Sequence, residues 1–203
     1  MPRNPVKSHL SKFSFTRSGK PVTCHTERFM LRSLRPANAT PAYLSWIADP
    51  KVMTPLNMPA RKLSLADLSN HISSFDNKNR YLIGMFDKQT GTHFGVYLVD
   101  SNQQHRLAKL SFLIGDQAFR GIGALRETAA GLIEQLFSAH EIEKIAAQVI
   151  VDNETSIAAL EAIGFKREGT MRKEIRSFKP DGDRLDQYFY GLLPEEWEKK
   201  QAR

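Results

Sequence analysis

The chain has 203 residues, of which 41% are hydrophobic and 25% are charged, as in an ordinary soluble domain. No apolar run approaches the ~20 residues of a membrane-spanning helix, and the N-terminus has no apolar segment of signal-peptide length. We therefore expect a cytoplasmic protein with no membrane contact. Cys24 is the single cysteine, which excludes an internal disulfide and a cysteine-based metal site, and we expect no metal.

The net charge of +7 is concentrated at the N-terminus. Residues 1–26 contain five basic and no acidic residues, whereas the rest of the chain has 24 basic and 22 acidic residues. We predict a basic, flexible tail over residues 1–26 and a single domain over residues 27–198. Such a tail can touch RNA or acidic surfaces, but we expect no other nucleic-acid contact, because the body is almost neutral.

The first half of the body predicts a strand, two helices and a hairpin. A helix starting at Ser64 is favoured because serine is a good N-cap, with Asp67 three residues on. Prolines 50, 55 and 59 indicate a loop before it. The predicted elements are a strand over Phe29–Leu34, helices over Ala39–Ala48 and Ser64–Phe75, and hairpin strands over Tyr81–Phe86 and Phe94–Val99.

The second half predicts strands alternating with helices. Leu125, Ala129, Leu132 and Leu136 recur at helical spacing and define one apolar face. The predicted elements are strands over Leu107–Ile114, Ile145–Val151, Phe165–Met171 and Tyr188–Leu192, and helices over Leu125–Ala139 and Glu154–Ile163. This order predicts an α/β fold, with a mixed, partly antiparallel sheet and helices on both faces.

Gly121-Ile122-Gly123 lies between a predicted strand and a predicted helix. Glycines let a backbone approach an anion, and the amides at a helix start favour negative charge, so this pattern is typical of a phosphate cradle. Arg120 could add a charge-assisted contact. An ordinary tight turn remains the alternative. A dinucleotide-binding oxidoreductase is disfavoured, because Arg126 stands where the third glycine belongs and several strands come first.

A second cluster begins at Asn153, followed by Ser156, and closes with Gly164-Phe165. By itself it describes a capped helix, because asparagine is a good N-cap and glycine can end a helix in the left-handed region. The loop with the Arg-Gly-Ile-Gly sequence comes first and the Asn-X-X-Ser cluster second. This order is a more specific signal than either cluster alone.

Together these motifs resemble the GNAT superfamily of acetyltransferases, over about Glu27–Trp197. Residues 120–125 resemble its pyrophosphate loop. The run from Asn153 through Leu160-Glu161 to Gly164-Phe165 resembles the branch that contains the Rim-type ribosomal-protein N-terminal acetyltransferases and many amino-sugar acetyltransferases. The resemblance implies a twisted sheet whose central strand pair splays apart, and an N-acetyltransferase that uses acetyl-CoA as co-substrate.

The resemblance also implies where acetyl-CoA binds. Its pantetheine arm would pair with the backbone of Phe112, Leu113 and Ile114, and its pyrophosphate would rest on the amides of Arg120, Gly121, Ile122, Gly123, Ala124 and Leu125. Asn153 and Ser156 would complete the cofactor site. A neutral amine then attacks the thioester directly, which requires a base for the amine proton and a donor for the departing thiolate.

Three residues depart from the family pattern. Leu125 stands where a glycine or alanine normally allows close approach, so we expect a looser fit there. Lys109 replaces a glutamate that is common in the branch, and Leu160 occupies the position of the tyrosine that many members use as thiolate donor. Ser156 is left for the thiolate, unless it is merely a helix residue. The candidates for the base are Glu174, Asp186 or a water relay.

The resemblance leaves the acceptor open between a small amine, an amino sugar and a protein N-terminus. Lys109 and Leu125 keep an alternative in play, a non-catalytic acyl-CoA-binding module whose tail docks on an acidic partner or RNA. A homodimer also remains an alternative to a monomer.

Overall fold

The computed structural model describes residues 19–180 and 182–202. Its centre is an eight-stranded sheet in the order β1-β2-β3-β4-β5-β6-β8-β7. Within it, β5 and β6 run parallel and the other neighbouring pairs run antiparallel. In chain order the strands are β1 (Thr23–His25), β2 (Phe29–Ser33), β3 (Arg80–Asp87), β4 (His93–Asn102), β5 (Leu107–Ile114), β6 (Lys144–Ile150), β7 (Lys166–Arg176) and β8 (Arg184–Leu192). The predicted mixed α/β sheet is confirmed.

Six helices pack around this sheet in the described residues. They are α1 (Pro41–Ala48), α2 (Pro50–Met53), α3 (Leu65–Ser73), α4 (Ala124–Ala139), α5 (Glu154–Ile163) and α6 (Pro194–Gln201). Within the described residues no helix is both long and apolar enough to cross a membrane.

The alternation of side chains along β3 assigns the helices to opposite faces of the sheet. Tyr81, Ile83 and Met85 belong to the core beneath α4 and α5. Leu82 and Phe86 belong to a second core beneath α1, α2 and α3. Because successive strand residues point to opposite faces, these two helix groups enclose the sheet between them. Helices therefore lie on both faces, as predicted.

The helix starts follow from local capping. Thr40 accepts a hydrogen bond from the Tyr43 N–H at 3.2 Å and begins α1. Ser64 and Asp67 form the expected capping box of α3. The prediction of a continuous loop over residues 50–59 is wrong in its first part. Pro50, at the first position of α2, needs no N–H partner there, and a 3-10 turn follows at Thr54–Leu56.

The boundary predicted at residue 26 needs correction for the part of the tail that is described. Thr23–His25 form β1, which pairs antiparallel with β2. Val22 is fully buried, and its N–H donates to the Ser33 hydroxyl at 3.0 Å. Residues 22–25 therefore belong to the fold, while the predicted tail over residues 1–18 lies outside the described residues. The other boundary extends beyond residue 198, because α6 continues to Gln201 and packs Trp197 into the core.

Candidate active site

The parallel strands β5 and β6 part in the middle of the sheet. Their pairing runs from Leu107–Lys144 to Lys109–Ala146 and then stops. Beyond that point β5 continues to Ile114 paired only with β4, and β6 continues to Ile150 paired only with β8. The inner edges of residues 110–114 and 147–150 therefore face a gap with no strand partner. Free N–H and C=O groups at such an edge can pair with an extended ligand.

The gap opens into a cleft of about 530 Å³. The cleft passes from the separated strands to the helices and loop of the α1–α3 face, with the start of α5 as a further wall. Its strand walls are Ser111, Phe112, Leu113, Gln148, Val149 and Ile150. The α1–α3 side contributes an apolar wall that includes Ile47, Met53, Pro55, Leu56 and Met58.

The loop before α4 has the backbone of an anion cradle. Gly121 and Gly123 adopt φ angles of +74° and +78°, in the left-handed region that side chains disfavour. Gly123 is the N-cap of α4, so the first amides of a 16-residue helix follow it immediately. Those amides have no partner within the helix and carry the positive end of its dipole. The exposed loop can therefore receive an anionic group.

Two arginines fix the loop, one from each side. Arg28 pairs its Nε with the Glu127 carboxylate at 2.7 Å and donates from its terminal nitrogens to the Ile122 carbonyl at 3.2 Å. Arg120 donates to the carbonyl of Ile114, from Nη2 at 2.7 Å and from Nε at 3.1 Å. The Arg120 side chain therefore ties the loop to the end of β5. The backbone N–H of Arg120 donates to the Gln117 carbonyl.

Leu125 does not project from the loop as a free bulky group. Its side chain is half-buried and packs against the core beneath α4. Its carbonyl accepts a hydrogen bond from the buried Tyr97 hydroxyl at 3.3 Å. The core therefore accommodates the leucine at a position where the family usually has glycine or alanine.

The start of α5 brings Asn153 and Ser156 to the wall of the cleft. The Asn153 Oδ1 accepts the Ser156 N–H at 3.2 Å, as an N-cap does, and its Nδ2 donates to the Pro55 carbonyl at 2.9 Å. Ser156 is half-buried, and its hydroxyl makes no hydrogen bond to any described residue. Leu160, one turn on, is buried in the core and also reaches the cleft.

The two carboxylates considered as bases lie outside this lining. Glu174 is exposed on β7, and the Asp186 carboxylate accepts the Lys173 N–H at 2.7 Å. Instead, Arg61, Arg80 and His71 line the cleft on the α1–α3 side. Burial, together with the charge of Arg80, lowers the pKa of His71 below its ordinary value. The imidazole is therefore mostly neutral at neutral pH.

Sequence reasoning missed these three side chains. It predicted the loop between α2 and α3 (residues 54–64), but not that this loop lines the cleft. Arg61 lies in an irregular segment, and His71 and Arg80 belong to different elements, so no spacing in the sequence relates them. The loop is held by Asn57, which donates to the Arg176 carbonyl at 2.8 Å and accepts the Phe178 N–H at 3.0 Å. The asparagine at position 57 was a detectable signal, because this residue type tolerates the left-handed backbone that Asn57 adopts, at φ +55°. Among the described residues no cluster of histidine, cysteine and carboxylate side chains could hold a metal ion.

Comparison with known proteins agrees with this geometry. Residues 28–166 match the family described as the acetyltransferase (GNAT) domain. An uncharacterized N-acetyltransferase, p20, from Bacillus licheniformis is 27% identical over 182 residues, which cover 86% of this chain and 98% of p20.

Solved structures of acetyltransferases share the fold. The ribosomal-protein-S5-alanine acetyltransferase from Vibrio fischeri superposes with a TM-score of 0.73 at 17% identity, covering 87% of this chain and 98% of that one. The spermidine N-acetyltransferase from Vibrio cholerae, solved with CoA and spermine, gives 0.72 at 18% identity, covering 84% and 98%. The chain belongs to the GNAT acetyltransferase family, and it is an N-acetyltransferase that uses acetyl-CoA.

Proposed function

We propose that this enzyme transfers the acetyl group of acetyl-CoA to a primary amine by direct attack, with the thioester held between β5 and β6. The observation that carries the proposal is the end of β5–β6 pairing at Lys109 and Ala146, where the cleft begins. A direct transfer needs both reactants in one cavity. The cleft supplies it, since it joins the strand gap to the α1–α3 face.

The pantetheine arm pairs with the β5 edge that faces the gap at Phe112, Leu113 and Ile114, and extends β5 by a pseudo-strand. The Ile114 carbonyl already accepts from Arg120, so the other backbone groups of this edge make the pairing. The supporting feature is that β5 uses its other edge for β4 along its whole length. The pyrophosphate rests on the loop from Gly121 to Leu125, where two left-handed glycines and a helix start meet. Arg120 acts by holding this loop on the end of β5 rather than by direct contact.

Ser156 donates a hydrogen bond to the CoA thiolate as it leaves. Ser156 lines the cleft in the first turn of α5, and its hydroxyl has no hydrogen-bond partner among the described residues. The dipole at that helix start also favours negative charge. Leu160 offers no donor at the next turn, so Ser156 is the hydroxyl that the helix presents.

A water relay removes the amine proton, in preference to Glu174 or Asp186. The described residues that line the cleft include no carboxylate. Its polar lining, with Ser111, Gln148 and Gln187, can hold water. The mostly neutral imidazole of His71 on the α1–α3 side can pass such a proton to solvent.

The acceptor remains among a small amine, an amino sugar and a protein N-terminus. The screen that tests the proposed function measures CoA thiol release with acetyl-CoA and longer acyl-CoAs across amines of these three classes. We expect amine-dependent release with at least one class and acetylated amine as the product. If acetyl-CoA stabilises the protein but every amine class leaves thiol release at the background rate, the proposed function is wrong.

A further inference from the structure

The part of the cleft under α1–α3 carries positive charge. The loop that would hold pyrophosphate starts α4 on the opposite face of the sheet, so this part is left for the acceptor. Its charged side chains are Arg61 and Arg80. Among the described lining residues none is acidic. Since low-dielectric walls focus such a field, this part of the cleft favours an anionic group on the acceptor over additional cationic groups.

The two arginines differ in how far they are neutralised. Arg80 lies 3.4 Å from the Asp100 carboxylate through its Nε, and its guanidinium lies 4.7 Å from the centroid of the Phe75 ring. Arg61 makes no ion pair with a described residue, although its backbone N–H is anchored to the Ile47 carbonyl at 3.0 Å. Arg61 therefore offers a guanidinium that a ligand carboxylate can bind through two parallel hydrogen bonds.

Exposed apolar side chains lie next to this charge. Met58 is 46% exposed and Leu63 is 36% exposed, and both line the cleft. Large apolar groups left open to solvent at a cleft mouth indicate a surface that a ligand covers. Apolar contact and an anion site therefore occur together on the acceptor side.

We propose that the acceptor is an amine with an apolar body and a carboxylate, and that Arg61, supported by Arg80, binds the carboxylate. This inference rests on the proposed function and selects within its acceptor classes. It disfavours polyamines, whose additional charges would meet the arginines. The same chemistry occurs in a free apolar amino acid and in a peptide with an apolar first residue and an acidic second one.

The test compares acceptors that differ in the carboxylate, with kcat/KM expressed per neutral amine, because a carboxylate also raises the pKa of a neighbouring amine. One pair is leucyl-glutamate and leucyl-glutamine, both amidated at the C-terminus, and the other is free leucine and leucinamide. Spermidine is the cationic comparison. We expect kcat/KM to favour the acid by about two- to fivefold in at least one pair, the size of a partly exposed charge pair. The preference should shrink at high salt. A preference within the dipeptide pair identifies the acceptor as a peptide, and a preference within the leucine pair identifies it as a free amino acid.

The variant Arg61→Met should bring the acid-to-amide ratio close to one. Lys62→Met is the matched control, because Lys62 is exposed, adjacent in the chain and outside the cleft lining, and it should keep the ratio. Arg80→Met serves as a second variant if Arg61→Met lowers the melting temperature strongly. It should reduce the ratio as well.

Calorimetric titration of the CoA complex gives a readout that does not depend on turnover, and there the acid of a pair should bind more tightly than the amide. Equal kcat/KM within both pairs, or spermidine as the best acceptor, overturns the inference while acetyl transfer stands. Retention of the preference in Arg61→Met and Arg80→Met overturns it too. If no amine is acetylated, the proposed function fails and the inference fails with it.

Discussion

Asn153 joins α5 to the loop between α2 and α3, because its Nδ2 donates to the Pro55 carbonyl at 2.9 Å. The same side chain accepts the Ser156 N–H through Oδ1 at 3.2 Å. One amide group thus caps the helix and holds the loop of the acceptor side. The carboxyl end of β6 precedes it by three residues, so the connection lies where the strands have already parted.

Replacing Asn153 with aspartate separates these two roles. Aspartate caps helices as well as asparagine does, but it cannot donate to the Pro55 carbonyl and would repel it. We expect Asn153→Asp to keep the melting temperature near that of the wild type and to raise KM for the amine about two- to tenfold, the worth of one hydrogen bond. Asn153→Ala should lose stability as well. A KM unchanged for every acceptor in Asn153→Asp would show that the Pro55 contact does not position the loop.

Gly123→Glu tests the position of the pyrophosphate, and Gly91→Glu is the control with the same backbone strain. Gly123 and Gly91 adopt φ angles of +78° and +72°, but Gly91 lies in the β3–β4 turn, away from the cleft. Both substitutions should destabilise the fold by about 1–2 kcal/mol, because a side chain enters the left-handed region. Only Gly123→Glu adds negative charge at the start of α4. Acetyl-CoA should therefore raise the melting temperature of Gly91→Glu but not that of Gly123→Glu. A ligand-induced shift that survives Gly123→Glu would contradict this position for the pyrophosphate.

Ser156→Ala should act on turnover rather than on binding. A donor to a thiolate stabilises the transition state more than the thioester, so its loss could lower kcat by about 10²-fold with little change in the Kd of acetyl-CoA. Thr155→Ala is the matched control, since Thr155 is exposed and outside the cleft lining. Steady-state kinetics together with calorimetry separate the two effects. Equal kcat in Ser156→Ala and Thr155→Ala would mean that Ser156 is only a helix residue.

His93 should make stability depend on pH. It lies against Trp46, Tyr43 and Phe86, and burial, with a smaller effect of Arg32, lowers its pKa to about 4. Because histidine titrates near 6.5 when unfolded, the unfolded state takes up a proton between about pH 6.5 and pH 4 that the folded state does not. The free energy of unfolding should therefore fall over this interval, by about 3 kcal/mol from this group.

Urea unfolding from pH 7.5 to pH 4 measures this effect. His93→Phe keeps an aromatic ring among its neighbours and removes the titration, so its stability should decline less steeply with acid. His105→Gln, in the exposed turn between β4 and β5, should follow the wild type. An identical acid dependence in His93→Phe and the wild type would rule out His93 as a source of this loss.

Local signals predicted the framework of the site well. The capping box at Ser64 and the glycines before α4 act within a few residues, so the sequence alone located these helix starts. The short strand β1 was missed because its polar residues are strand only through pairing with β2. The basic lining was missed for a similar reason, because Arg61 and Arg80 come to line one cleft only after α3 folds onto the sheet.

The outward position of Glu174 also could not be read from the chain. Strand alternation assigns a face only while the register holds, and β7 shifts its register against β8 between Met171 and Ile175. Lys173, inside this irregularity, adopts φ +53°. Glu174 lies within the same irregular stretch, so strand alternation does not assign its side chain to a face.

A crystal structure with CoA tests the central claim, that the thioester lies between the parted strands beneath Ser156. We predict the CoA sulfur within hydrogen-bonding distance of the Ser156 hydroxyl, with the pantetheine amides paired to the β5 edge at Phe112–Ile114. Pantetheine bound outside the β5–β6 gap, or a sulfur facing away from α5, would contradict the account.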